Sequence, residues 1–158
     1  MKKEIKRKFL VHELPSLKNI ELLRYERYIL NSTNGKVTRV QKVNDVYFYE
    51  EKNDLSILER SGVKRELTKE EFESLEINSK NKAIIRDRYN VAPNISIQIY
   101  HGDFEGLIRA EVDFRTQKEA QTFKPSDWMG KEITSLPIAR DATLLELSQK
   151  EFEDCLQS

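Results

Sequence analysis

Residues 4–11, EIKRKFLV, alternate charged and apolar side chains in the manner of a β-strand. Successive side chains of an extended strand point to opposite faces, so one face of this strand carries only charges. Those charges are Glu4, Lys6 and Lys8. The opposite face holds Ile5, Arg7, Phe9 and Val11. The strand therefore presents a row of charges either to water or to a polar interior.

Charged rows of the same kind recur on later segments that have β-strand composition. They group Arg39 with Gln41, Lys52 with Glu50, Arg86 with Arg88, and Arg109 with Glu111 and Asp113. In a β-sandwich these faces would lie in solvent, and the apolar faces would form the core. In a closed barrel they would instead line the interior. The alternation alone leaves both arrangements open.

A barrel interior with these side chains would suit a phosphate-rich anion, because arginine offers paired N–H donors to phosphate oxygens. Its cations would be Lys8, Arg39, Lys52, Arg86 and Arg88. Its carboxylates would be Glu4, Glu111 and Asp113. These carboxylates would either pair with the cations or hold Mg²⁺ or Mn²⁺, which prefer oxygen ligands.

The whole chain has the pattern of antiparallel strands with few helices, which favours an α+β or barrel-like fold. Strands are predicted at 3–11, 24–30, 36–43, 46–52, 55–67, 82–91, 95–102 and 106–114. Turns are predicted at Asn34-Gly35, Asn44-Asp45 and Asn53-Asp54. Helices are predicted at 15–23, at 68–76 after Thr68 as N-cap, and at 142–156, with a short helix or turn at 116–123.

The composition argues against several classes of protein. Lysine plus arginine (27) balances aspartate plus glutamate (27), which argues against binding nucleic acid through an overall positive field. A single cysteine excludes an internal disulfide and suits a reducing compartment. The N-terminal residues lack the apolar segment of a signal peptide, and no run reaches membrane-spanning length. We therefore expect a cytoplasmic protein with neither a nucleic-acid nor a membrane partner.

Several segments in the same order resemble the CYTH domain, or triphosphate tunnel metalloenzyme, family. The family opens on Glu-x-Glu-x-Lys and an apolar pair, and EIKRKFLV matches this pattern except at Lys6. IIRDRYNV (84–91) resembles its basic-x-Arg-Tyr strand, and GLIRAEVDF (106–114) its Ala-Glu-x-acid strand. PSDWMGKEIT (125–134) resembles its Trp-x-Gly-x-Glu segment, and YFYEEK (47–52) ends in its interior lysine. The similarity extends from residue 4 to about residue 145.

The resemblance implies a closed eight-stranded antiparallel β-barrel with helices packed outside. It implies a single domain over 1–158, with the barrel at about 1–141 and a C-terminal helix at about 142–156. It implies metal-dependent hydrolysis of a triphosphate-containing anion in a charged tunnel, with Mg²⁺ or Mn²⁺ as cofactor. By position, Lys8, Arg39, Lys52, Arg86 and Arg88 would bind phosphate. Glu4, Glu111 and Asp113 would hold the metal, with Glu4 and Glu111 as catalytic residues.

The chain departs from the family pattern at three positions. Lys6 stands where a second glutamate would help hold the metal, Gln41 where an arginine is common, and Gln98 where an acid is common. We therefore expect slow hydrolysis, or none, with little dependence on metal. Two other functions stay open: a non-enzymatic protein that binds polyphosphate or a nucleotide, and a class IV adenylate cyclase. The sequence leaves the oligomeric state open, with a homodimer as one alternative, and leaves Arg65 and Glu66 as further candidates for the tunnel wall.

Overall fold

A computed structural model of the protein describes residues 2–79 and 83–157. The described residues form nine strands and four short α-helices. The strands are β1 (Lys2–Val11), β2 (Leu22–Thr33), β3 (Lys36–Val43), β4 (Val46–Asp54), β5 (Glu59–Leu67), β6 (Ile84–Ala92), β7 (Ile95–Tyr100), β8 (Ile108–Phe114) and β9 (Met129–Glu132). The helices are α1 (Lys69–Glu76), α2 (Gln117–Thr122), α3 (Asp141–Leu144) and α4 (Gln149–Leu156). Single 3₁₀ turns lie at Gly102–Phe104 and Pro137–Ala139.

Eight of the strands close into an antiparallel barrel, as the resemblance implies. Their order is β5-β4-β3-β2-β6-β7-β8-β1, and β1 also pairs with β5 to close the circle. The ninth strand, β9, lies outside the closed barrel and pairs with the end of β1, where Val11 is opposite Met129. The sandwich alternative is therefore wrong, because the two edges of the sheet are joined.

Two tight turns set the register of β2, β3 and β4. Asn34 and Gly35 have positive φ angles of 51° and 76°, the backbone that a two-residue hairpin between twisted strands requires. Asn44 also has a positive φ, 52°, in the turn between β3 and β4. Both predicted hairpins are confirmed. The predicted turn at Asn53-Asp54 is wrong, because both residues continue β4.

The apolar core lies partly outside the barrel and partly inside one end of it. Outside, Phe9, Ala110 and Val112 pack with Phe114 and with Phe123, which follows α2. Inside, the same faces that carry charge near one end become apolar near the other. That interior core contains Leu10, Ile84, Tyr100, Leu107, Ile133, Ile138, Leu144 and Phe152. Since Leu10 follows Lys8 on the same face of β1, the interior changes from polar to apolar along the barrel axis.

The helices differ more from prediction than the strands do. Thr68 caps α1 with a reciprocal contact to Glu71, as expected. The helix predicted at 15–23 is absent, and Leu22 and Leu23 instead begin β2. The predicted C-terminal helix is split into α3 and α4, because Ser148 and Glu151 form a new capping box. The predicted strand at 82–91 begins at a residue outside the described ones. No helix among residues 2–79 and 83–157 is long and apolar enough to cross a membrane.

Candidate active site

The barrel interior holds a cavity whose walls are formed by the charged faces of the strands. Eleven lysine and arginine side chains and four carboxylates line it among the described residues. The residues predicted for this surface that lie on the cavity wall are Glu4, Lys8, Arg39, Lys52, Arg86, Arg88 and Glu111. Asp113 lies at the adjoining opening with Lys6 and Arg88. The cavity, called the tunnel below, therefore brings the predicted residues together.

Several wall residues were missed by sequence reasoning. They are Arg27, Glu50, Arg60, Lys64, Arg109, Arg140 and Asp141. The period-two pattern placed Arg109 and Glu50 in the charged rows, but neither was assigned to the tunnel. Asp141 begins α3, and no strand pattern marks it. Arg65 points away from the tunnel, because its Nη1 lies 3.6 Å from Glu71.

The inner end of the tunnel contains three arginines around one carboxylate, a group called here the deep arginine cluster. Arg27 Nη1 donates a hydrogen bond to Asp141 Oδ2 at 2.8 Å, and Arg86 Nε lies 3.6 Å from the same oxygen. Arg109 Nη2 lies 3.5 Å from Asp141 Oδ1, which also accepts the Tyr100 hydroxyl at 2.5 Å. Burial alone would raise the pKa of Asp141, but the three guanidinium groups outweigh it and hold the pKa well below its usual range. The cluster therefore carries an excess of buried positive charge.

Arg86 is the least satisfied member of this cluster. Its side chain is 3% exposed, and its guanidinium lies over the ring of Tyr25 at 4.8 Å. Among the described residues, no hydrogen-bond partner exists for its Nε and Nη1 atoms. Buried N–H groups without partners are costly, and an anion with several oxygens would satisfy them.

Two amide side chains hold the other two arginines in place. Gln41 Oε1 accepts hydrogen bonds from Arg27 Nε and Nη2 at 2.8 and 2.6 Å. Gln98 Oε1 accepts from Arg109 Nε and Nη2 at 2.9 and 2.6 Å. An amide orients a guanidinium as a carboxylate would, but it brings no negative charge. These glutamines therefore fix the arginines without cancelling their charge.

Lys8 and Lys52 reach the tunnel by different means. Lys8 is buried and its Nζ donates to the carbonyl of Ala139 at 2.6 Å. Burial and the nearby Arg109 hold the pKa of Lys8 well below its ordinary value. Lys52 has room because Gly62 stands opposite it on β5. A β-carbon at Gly62 would lie 2.9 Å from Lys52 Cδ.

The outer end of the tunnel contains one ammonium among three carboxylates, a group called here the mouth cluster. Lys6 Nζ lies 2.6 Å from Glu111 Oε1, 3.0 Å from Glu4 Oε2 and 3.5 Å from Asp113 Oδ1. Burial alone would lower the pKa of Lys6, but the carboxylates led by Glu111 outweigh it and raise the pKa. Glu4 also forms an ion pair with Lys52. Lys6 therefore occupies the centre of the predicted metal site.

The three carboxylates of the mouth cluster do not fit a divalent cation as they are arranged. Glu4 and Glu111 direct oxygens at the Lys6 ammonium, and Asp113 Oδ1 has no hydrogen-bond partner among the described residues. Within the described part of the chain, no three Asp, Glu, His or Cys side chains form a group suited to a metal ion. A metal at these residues would first require Lys6 to leave, and the assignment of Glu4, Glu111 and Asp113 as metal ligands stays a prediction.

Comparisons with known proteins agree with the fold and with the motifs. No family model matches the chain. An inorganic triphosphatase from Nitrosomonas europaea (strain ATCC 19718) is 26% identical over 135 residues, which cover 83% of this chain and 89% of that protein.

Solved structures share the same fold. That of an inorganic triphosphatase, NE1496, superimposes with a TM-score of 0.67 at 23% identity, covering 92% of this chain and 99% of the other. A protein from Pyrococcus horikoshii OT3 superimposes with a TM-score of 0.56 at 18% identity, covering 75% and 83%. These similarities show the shared fold, and with the ordered motifs they support the resemblance to the CYTH, or triphosphate tunnel, family.

Proposed function

We propose that the protein is a triphosphatase that binds a triphosphate-containing anion in the tunnel and hydrolyses a phosphoanhydride bond. Inorganic triphosphate is the substrate to test first, because the curated relative is named for it. The observation that carries the proposal is Arg86, whose buried Nε and Nη1 lack a hydrogen-bond partner among the described residues. The excess of cations on the surrounding wall supports it.

The reaction needs charge stabilisation more than covalent chemistry. In phosphoryl transfer, charge spreads over the oxygens of the transferred group, and fixed cations stabilise it. The deep arginine cluster would hold one end of the anion, since its guanidinium groups are held in place before the anion arrives. Lys8, Arg39 and Lys52 would line the path of the remaining phosphates.

Glu4 and Glu111 would orient the attacking water in this proposal. Burial raises the pKa of each, but Lys6 and the other nearby cations outweigh it. The pKa of Glu4 is lowered to about 2, and that of Glu111 lies well below its usual range. Both groups are therefore ionised at neutral pH and are weak bases, which favours accepting a hydrogen bond from water over removing its proton.

A second candidate function is binding of the anion without turnover. The mouth cluster favours binding without turnover, because Glu4 and Glu111, the carboxylates expected to act in hydrolysis, form ion pairs with Lys6. Measurement of phosphate release from inorganic triphosphate, ATP and thiamine triphosphate separates the two candidates. Binding without release would identify the protein as a binding protein.

Arg86→Gln tests the anion site directly. We expect its affinity for triphosphate to fall roughly 100-fold, because the change removes a buried charged partner of the anion. Calorimetric titration with triphosphate would measure this loss, and Arg86→Lys, which keeps the charge, should lose less. The matched control is Arg65→Gln, which removes a guanidinium from the outer surface beside Glu71. Natural protein that fails to bind millimolar triphosphate, or equal affinities for Arg86→Gln and Arg65→Gln, would contradict the proposal.

A further inference from the structure

The register of the sheet determines where Lys6 lies. The antiparallel pairing of β1 with β8 sets Lys6 opposite Asp113 and Lys8 opposite Glu111. Side chains directly opposite on one face have Cβ atoms about 4.5–5.5 Å apart, and diagonal neighbours are also within reach of a long side chain. Strand pairing therefore places the Lys6 ammonium beside these carboxylates, and its position does not depend only on the side-chain rotamer.

A divalent ion and the seated ammonium exclude each other. Mg²⁺ binds carboxylate oxygens at about 2.0–2.1 Å. Because Lys6 Nζ is 2.6 Å from Glu111 Oε1, an ion bound to that oxygen would lie at most about 4.7 Å from the ammonium. Two cations at this separation in a partly buried site repel each other strongly.

We propose that the Lys6 ammonium is the resident cation of the mouth cluster, so that the tunnel takes metal-free triphosphate and not its Mg²⁺ complex. This inference rests on the proposed function and names the form of the anion that the site accepts. The free anion carries more negative charge than its Mg²⁺ complex, and the cation-rich wall favours it. The complex would bring a second cation toward Lys6.

Lys6 lies close to solvent. Its side chain is 24% exposed and lines the adjoining opening of the tunnel. If Lys6 swings outward when a metal arrives, the three carboxylates become available to that metal. Metal binding without the anion distinguishes a lysine that stays among the carboxylates from one that moves aside.

The first experiment measures metal binding without any anion. Electron paramagnetic resonance of Mn²⁺ reports the free ion, and its signal falls when the ion binds. We expect no binding to the natural protein at millimolar Mn²⁺ and clear binding to Lys6→Glu. Lys64→Glu is the charge-matched control, since Lys64 lines the same opening but lies over the ring of Phe48 at 4.1 Å. Lys64→Glu should gain no Mn²⁺ site.

The second experiment measures triphosphate binding by calorimetry, in a chelator and then in excess Mg²⁺. For the natural protein we expect tight binding in the chelator and roughly tenfold weaker binding in excess Mg²⁺, which complexes the free anion. Lys6→Glu should show the reverse order. If Lys6→Glu does not fold, Lys6→Gln, which removes the charge with less repulsion, replaces it.

Two outcomes would overturn the inference, and they differ from failure of the proposed function. Mn²⁺ binding by the natural protein as strong as that of Lys6→Glu would show that the lysine moves aside. Triphosphate binding by the natural protein that requires Mg²⁺ would also overturn the inference while leaving the proposed function intact. No binding under either condition would overturn the proposed function and the inference with it.

Discussion

The two charge clusters of the tunnel have opposite ratios of charge. The deep arginine cluster sets three guanidinium groups around Asp141, whereas the mouth cluster sets three carboxylates around Lys6. The buried side-chain atoms that lack a hydrogen-bond partner show the same difference between the two clusters. Among the described residues, the buried side-chain atoms without a hydrogen-bond partner are Arg86 Nε and Nη1 at the inner end and Asp113 Oδ1 at the outer end.

This difference indicates which kind of ligand each end accepts. At the inner end donors exceed acceptors, so an anion improves the hydrogen bonding of the site. In the mouth cluster the carboxylates outnumber the single ammonium group, and that ammonium, which belongs to the chain, already occupies the centre. The deep arginine cluster is therefore suited to bind phosphate, whereas in the mouth cluster Lys6 supplies the positive charge that balances the carboxylates.

The largest expected effect comes from removing the single carboxylate of the deep arginine cluster. Asp141→Asn keeps the shape of the side chain but removes the carboxylate that Arg27, Arg86 and Arg109 share. It leaves Arg27 with only Glu50, at 4.0 Å, as an ion-pair partner among the described residues. We expect the free energy of unfolding to fall by about 3–5 kcal/mol, as for other broken buried ion pairs. Denaturant unfolding would measure the change.

The control for this prediction is Glu132→Gln, which breaks a surface ion pair with Arg7 at 2.7 Å. Its cost should be about 0–1 kcal/mol. Triphosphate should restore part of the stability of Asp141→Asn, because the anion supplies the missing charge. Equal losses for the two variants would show that the deep arginine cluster does not depend on Asp141.

A smaller effect is expected from making Gln98 acidic. Gln98→Glu would cancel the charge of Arg109 and place a second carboxylate beside Glu111, which now accepts a hydrogen bond from the amide at 2.9 Å. We expect the affinity for triphosphate to fall roughly tenfold. Calorimetric titration of both proteins checks this expectation. An unchanged affinity would mean that the net charge of the inner end does not govern anion binding.

The smallest effect concerns Glu4 in the mouth cluster. Because cations lower its pKa from 4.5 to about 2 in the folded state, its ionisation stabilises the fold above about pH 4.5. That contribution is lost as the pH falls through about 2. Glu4→Gln should therefore reduce the decline in melting temperature across this acid range. The comparison is made by thermal melting of both proteins at several pH values, and identical slopes would contradict the prediction.

Most of the tunnel wall was predictable because it lies on strands. Alternation with a period of two assigns a face to each residue, and this was sufficient for Lys8, Arg86 and Glu111. The alternation does not determine whether that face lies in water or in a barrel interior, because a sandwich and a barrel have the same alternation. The resemblance to the family supplied the closure of the barrel, which the paired edges β1 and β5 confirm.

The position of Asp141 in the tunnel depends on packing that alternation does not encode. Asp141 reaches the inner end because α3 follows a 3₁₀ turn, and no local pattern determines where that turn packs. Leu17, Ile20 and Leu23 have helical spacing, yet Leu23 belongs to β2. There the pairing of Leu22 and Leu23 with β6 outweighs a local helical preference.

The position of β1 has a consequence for how the protein folds. The first strand pairs with β5 and β8, and Lys6 is 105 residues from Glu111 along the chain. Contacts between such distant segments form slowly, because a long loop must close before they add stability. Closing the barrel and assembling the mouth cluster are then the same event. During synthesis on the ribosome, the charged face of β1 has no β8 to pair with until most of the chain has emerged.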